Sequence, residues 1–252
     1  FRLKIKRVLY YPLIMQGFVA RQLDHIITVS EDSAIEINKA FGVKQENMSV
    51  VYNGLDTEIF RPLPGVKKKP NSVIFVGNVE DRKKGVVYLL KAMTLTRNRF
   101  HLTVVDGGAP NRMYVTKWID RFGLNDRIHF TGKIPGDKLI ELYSQHQVAV
   151  SPSLYEGFGF PAAEAMACEL PLVSSDGGAL PEVVGEHMET GYVVKSRDPY
   201  GLAEAIDYLL DNPKERERMG KAARKRITSV FTWENAAKEM VEVYREVINA
   251  YS

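Results

Sequence analysis

Glu156 and Glu164 stand eight positions apart around the run Gly157-Phe158-Gly159-Phe160, between the apolar stretch Gln147-Val148-Ala149-Val150 and a helical pattern rich in alanine. Carboxylates in such a place accept hydrogen bonds from hydroxyls, one at the mouth of the turn and one two turns down the helix. Glycines let main chain approach a ligand closely, and a helix N-terminus offers free N–H groups to an anion. In an open parallel sheet, ligands sit outside the carboxyl ends of the strands. The chemistry implied is the binding of a molecule that carries both phosphate and hydroxyl groups.

The whole stretch Ser151–Ala167, continuing through Cys168-Glu169-Leu170-Pro171-Leu172-Val173, resembles the Glu-x7-Glu motif of the retaining glycosyltransferases of the GT-B fold, family 4. Asp24–Ser30 and Val50–Phe60 are similar to the segments that lead out of that family's first lobe. Phe75-Val76-Gly77 through Lys84-Gly85, then Gly177-Gly178 and Pro181-Glu182-Val183-Val184, resemble its second lobe, so the likeness covers nearly all of the chain. It implies transfer of a hexosyl group from a nucleoside diphosphate sugar to an acceptor hydroxyl, with retention, no metal and no cofactor. The partners implied are the nucleotide-sugar donor and an acceptor of unspecified kind.

The same resemblance assigns roles. Lys84 would stabilise charge growing on the leaving diphosphate, with Arg82 and Lys83 as helpers; preorganised cations do this best. Its place after an apolar strand and before a helix start agrees with that role. Glu156 would accept hydroxyls of the donor sugar and Glu164 those of the ribose. Gly157, Phe158, Gly159 and Phe160 would offer main-chain N–H groups, and the turn Gly132-Lys133-Ile134-Pro135 would line the base, with Ile134 supplying apolar contact. Many relatives carry arginine directly after the glycine of the Val-Gly run. This chain has Asn78 there, an amide without charge, so either Arg82 or Lys83 takes over or donor binding is weaker.

Other chemistries fit these residues less well. A retaining glycosidase needs carboxyl groups about 5–5.5 Å apart, whereas eight residues of full helix span about 12 Å. Val76-Gly77-Asn78-Val79-Glu80-Asp81 lacks the Gly-x-Gly-x-x-Gly spacing of a nicotinamide enzyme. Five scattered histidines and one cysteine suggest no metal cluster. Two alternatives stay open: a nucleotide-sugar-binding module without turnover, and a sugar-nucleotide epimerase of the same fold. Asp106-Gly107-Gly108 is either a ligand loop or a turn, Glu182 reads equally as a helix cap or a functional group, and Trp233 reads as packing.

Short apolar runs alternate with helical patterns from residue 72 onward, the pattern of an α/β, Rossmann-like, doubly wound parallel sheet. Strands are expected at 72–76, 101–105, 127–130, 147–151, 170–174 and 191–194. Helices are expected near 86–95, 111–122, 137–145 (capped by Asp137) and 160–168, with others starting at Pro199, Pro213 and Trp233. Residues 1–65 supply only two helices and two strands, the remnant of a first, acceptor-side lobe followed by the Pro- and Lys-rich linker near 62–70. Residues 66–228 form the nucleotide-sugar lobe, and 229–252 a helix packing back toward the first.

With 45% hydrophobic and 26% charged residues the chain is an ordinary globular protein, and its net charge of +3 does not argue for nucleic acid. The single Cys168 excludes an internal disulfide and reads as a small buried packing residue. Nothing resembles a secretory signal or a membrane span, so a cytoplasmic setting is expected. The chain starts at Phe1 and reads as a fragment. Its basic, aromatic opening (Arg2, Lys4, Lys6, Arg7, Tyr10, Tyr11) suits the inner face of a membrane or, more simply, a first-lobe helix.

Overall fold

Val73 and Phe75 point to one side of their strand and Ile74 to the other; all three are buried, the first two in one apolar cluster and Ile74 in a second. A strand apolar on both faces must be covered on both, which is the signature of a parallel sheet between two helical layers. The computed structural model, which describes residues 13–107 and 112–250, has this architecture. Six parallel strands run in the order β5 (Ile128–Phe130), β4 (His101–Val105), β3 (Ser72–Val76), β6 (Val148–Ser151), β7 (Leu172–Ser175) and β8 (Tyr192–Val194). Pairing is in register from Ser72 opposite His101 to Val76 opposite Val105, and Val73 stands opposite Val148. The chain therefore reverses its direction of winding between β3 and β6, and that switch point is where a doubly wound sheet opens a crevice.

Helices α3 (Val86–Leu95), α4 (Met113–Phe122) and α8 (Pro199–Asp211) cover one face, meeting Phe75, Leu102 and Val104 through Leu89, Met93, Ile119 and Ile206. Helices α5 (Gly136–Gln145), α6 (Phe160–Ala167), α7 (Leu180–Val184) and α9 (Pro213–Val230) cover the other. Each fully buried Leu or Ile in these layers contributes about 1.5–3 kcal/mol of apolar burial. Ala162, Ala163, Ala165 and Ala167 of α6 are all buried, and their small size brings the helix axis close to the sheet and to α9.

A second, two-stranded parallel sheet pairs β1 (Ile26–Thr28) with β2 (Met48–Val50); α1 (Leu13–Ala20) precedes it and α2 (Glu31–Phe41) links its strands. The last helix, α10 (Trp233–Ala250), starts beside this unit: Leu55 N–H donates to the Phe231 carbonyl at 2.8 Å and pairs with Thr232. Farther along, Val243, Val247 and Ile248 of α10 line a cavity of about 380 Å3 with Leu23, His25 and Ile27.

Three readings change at close range. Asp137 does not cap α5; Pro135 holds the cap position and Asp137 lies in the first turn, where its charge complements the helix dipole. The strand expected at 170–174 runs from Leu172, because Pro171 has no N–H to add to a ladder. Trp233 does not serve as a buried packing residue: it is 57% exposed, and its main chain is what Gly54 lies against, 2.4 Å from a hypothetical Cβ. The basic opening as far as Pro12, and Gly108, lie outside the described residues. Among the described residues no helix is long and apolar enough to cross a membrane.

Candidate active site

The loop after β3 turns through Asp81, whose carboxylate accepts from Lys83 N–H at 3.0 Å and starts a 3-10 turn at Arg82–Lys84. Gly85 ends that turn in the left-handed region (φ 65°), and a side chain there would meet the Pro152 carbonyl at 1.9 Å. The loop is thus pressed against the segment leaving β6, and Leu154 N–H donates to the Lys83 carbonyl at 2.6 Å. That contact brings the two sequence-distant charges together. Lys84 Nζ lies 2.7 Å from Glu156 Oε1, and the same oxygen accepts from Ser153 Oγ at 2.7 Å.

The pair is part-buried, with 22% of the lysine side chain and 14% of the glutamate side chain exposed. A third loop closes on them from β7. A Cβ on Gly177 would lie 2.1 Å from the Ser153 carbonyl, and one on Gly178 (φ 62°) would lie 2.4 Å from that of Glu156. Ala179 N–H donates to the Glu156 carbonyl at 2.9 Å. These glycines answer a packing need that no side chain could meet.

Past Glu156, Gly159 (φ 100°) takes the cap position of α6. Phe158 is buried edge-on to Phe231 and Phe160, whereas Phe160 is 39% exposed and faces outward. Glu164 looks toward α5, where Tyr143 O–H donates to its Oε2 at 3.0 Å. Burial raises the Glu164 carboxyl above its ordinary range, and the Tyr143 hydrogen bond offsets part of that rise. Tyr143 is itself pushed well above the usual phenol range, first by burial and then by the neighbouring carboxylate.

The remaining predicted donor residues are distributed around this centre. Arg82 lies over the Tyr114 ring at 4.9 Å, and Lys83 over the Tyr155 ring at 5.7 Å. Among the described residues neither pairs with a carboxylate, and both hold cationic heads against aromatic faces at the rim. Asn78 Oδ1 accepts from Glu80 N–H at 3.0 Å, a turn-forming contact within its own loop. Ile134 is part-buried at the carboxyl end of β5, beside Gly132 (φ 67°). Asp106 is buried at the end of β4 and held by Arg112, whose guanidinium also covers Phe130 at 4.5 Å. Cys168 is buried, and burial pushes its thiol up to about 12, which leaves it inert.

Sequence reasoning missed Ser153 and Tyr143. Ser153 was detectable as a hydroxyl three residues before Glu156 on the same loop. Tyr143 carried no local signal, because it belongs to a different β-α unit. Among the described residues no cluster of three or more His, Cys, Asp or Glu is placed to hold a metal ion.

The sequence profile of the family described as glycosyl transferases group 1 matches residues 56–226. The chain belongs to this family. A second profile, glycosyltransferase family 4, matches residues 2–59, and the fold is that of the GT-B donor lobe with part of the first lobe. The chain is 38% identical over 236 residues to the MMP alpha-(1->4)-mannosyltransferase of Mycolicibacterium hassiacum, covering 93% of this chain and 57% of that protein. Sucrose-phosphate synthase from Thermosynechococcus elongatus superposes with a TM-score of 0.85 at 30% identity, covering 94% of this chain and 62% of that one. Anabaena HepE, solved in complex with UDP-glucose, superposes at 0.83 with 22% identity over 93% and 67% of the two chains. The chain therefore spans little more than half the length of the mannosyltransferase it matches.

Proposed function

We propose that this group 1 glycosyltransferase chain binds a nucleoside diphosphate sugar in the crevice between β3 and β6 and takes part in retaining, metal-independent transfer of its hexosyl group. Residues 66–228 are the donor lobe in this reading, residues 1–65 the acceptor-side remnant, and 229–252 the helix that joins them. One observation carries it: Lys84 and Glu156, 72 residues apart, meet at 2.7 Å at the switch point of the sheet. Lys84 would pass from Glu156 to the diphosphate, freeing the carboxylate to accept sugar hydroxyls. Glu164 would hold ribose, with Tyr143 orienting it, and the main-chain N–H groups of 157–160 would face sugar and phosphate. Arg82 and Lys83 would guide the approaching donor from the rim.

In the transfer itself the C1–oxygen bond to the diphosphate breaks and its electron pair stays on the leaving oxygen. The acceptor hydroxyl oxygen bonds to C1 on the same face, and its proton goes to the departing phosphate. Acceptor contacts would come from the first-lobe side, where two strands stand among the described residues. Because the chain spans little more than half the length of the mannosyltransferase it matches, it is expected to bind donor without turning it over.

A thermal-shift screen against UDP, GDP, ADP and their sugars tests the reading, because a ligand of the folded state raises stability by mass action. One nucleotide class should raise the melting temperature, and Lys84→Ala and Glu164→Ala should each weaken its binding. Unchanged affinity in both variants would remove the site.

A further inference from the structure

Glu182 connects two parts of the molecule that no covalent neighbour connects. Its Oε2 accepts from Glu31 N–H at 2.8 Å and its Oε1 from Asp32 N–H at 2.9 Å, and Tyr52 O–H donates to Oε2 at 3.1 Å. Glu31 and Asp32 are the first two residues of α2, and Ser30 Oγ takes the next free N–H, that of Ser33, at 3.1 Å. The first-turn amides of a helix have no partner within it. Here a carboxylate from the six-stranded unit fills that need on a helix of the two-stranded unit, with the sign the helix dipole favours. From sequence Glu182 reads equally as a helix cap or a functional group; it is a cap, but of α2, 150 residues away.

The other end of Glu182 is held as firmly. Arg226 donates to its carbonyl at 2.6 Å and to that of Val183 at 3.0 Å. One turn earlier in the chain come Gly177 and Gly178, where a Cβ would run into the main chain of Ser153 and Glu156, and Ala179, whose N–H donates to the Glu156 carbonyl. A movement of the Glu156 loop is therefore passed to Gly178–Ala179, to α7 and to the Glu182 carboxylate. Close-packed contacts transmit displacement because they have no slack to absorb it.

We infer that Glu182 is a positioning residue, a strut through which occupancy of the donor crevice at Glu156 sets the placement of α2 on the acceptor side. The inference rests on the donor-site reading proposed above. Direct hydrogen bonds to nucleotide or sugar are not its role. Its loss leaves Lys84, Ser153 and Glu156 with their mutual contacts and removes the route through α7 to the start of α2.

Amide hydrogen exchange on this chain tests this, with UDP, GDP and ADP as probes. In the wild type, the nucleotide that binds should slow exchange both in the crevice loops and at residues 31–41. In Glu182→Gln, whose amide can accept only on one side, affinity should stay within about threefold while the response of 31–41 disappears. Without nucleotide, the Glu31 and Asp32 amides should exchange about tenfold faster than in the wild type, the scale of a lost cap. Protection of β4 reports whether the variant is folded, and Tyr52→Phe, which removes one bond of three, should weaken the response if Glu182→Gln proves unfolded. A full response at 31–41 in the folded variants, or none in the wild type despite bound nucleotide, would overturn the strut alone. No nucleotide protection of the crevice in the wild type would overturn the donor site and the strut together.

Discussion

Lys84 and Lys68 stand at opposite ends of the same sheet and have opposite surroundings. Lys84, beyond the carboxyl end of β3, faces a single carboxylate at 2.7 Å and keeps part of its side chain in solvent. Lys68, beneath the amino ends of β6 and β7, donates to the Ser144 and His146 carbonyls at 3.3 and 2.8 Å, and burial lowers its pKa. The amino end also holds a hollow of about 370 Å3 between the linker, Cys168, Pro171 and Arg216. Room alone does not make it a functional site. Lys68 and Arg216 there are committed to main-chain carbonyls, Arg216 reaching Leu209 and Leu210. A cation becomes available for chemistry where its partner is a side chain that a ligand can replace.

The sharpest contrast concerns backbone. Gly85→Ala at the carboxyl end forces a methyl onto the Pro152 carbonyl and should destabilise the protein by about 3–5 kcal/mol in urea unfolding. Gly123 has nearly the same dihedral angle (φ 65°) but open space around it, so Gly123→Ala should cost only about 1 kcal/mol. Equal losses would mean that the β3 and β6 loops are not pressed together.

Next in size is the acid sensitivity of the amino end. His146 is buried between the Leu142 carbonyl and Thr103 Oγ1, and burial lowers its pKa from 6.5 to about 4. Between those values the unfolded chain binds a proton that the folded chain refuses. Stability from this group is therefore complete above about pH 6.5 and falls as pH drops toward 4, by at most about 3 kcal/mol. Melting curves of His146→Gln should lose less stability over that window than the wild type.

The two lysines should then dissociate cleanly. Lys84→Ala should weaken nucleotide binding by about 1.5–3 kcal/mol, read by calorimetry, with little change in melting temperature. Lys68→Ala should do the reverse, lowering stability by about 1–3 kcal/mol through orphaned carbonyls while affinity stays constant. Smallest is Tyr143→Phe, about 1 kcal/mol at neutral pH. Glu164 has a folded pKa above its unfolded value, so its contribution worsens as pH rises through the carboxyl range. Without the phenol hydrogen bond that worsening should be steeper in a pH series of melting curves.

Much of the architecture was legible in the chain because its signals are local. A strand buried on both faces announces itself as Val73-Ile74-Phe75, and a helix start as Asp198-Pro199, where the aspartate caps and the proline needs no partner for a missing N–H. The glycine turn and its two glutamates could likewise be found by spacing. The sequence determined which residues carry charges, hydroxyl acceptors and glycine turns near one another in the chain and which segments become strands and helices, since both follow from side-chain chemistry and short-range periodicity. Only the tertiary structure decided that Lys84 rather than Arg82 or Lys83 meets Glu156, that Tyr143 supports Glu164, and that Glu182 caps a helix in the other unit. Those pairings join residues from 21 to 151 positions apart. They are set by how loops from separate β-α units press together at the sheet's edge, and no pattern along the chain encodes that contact.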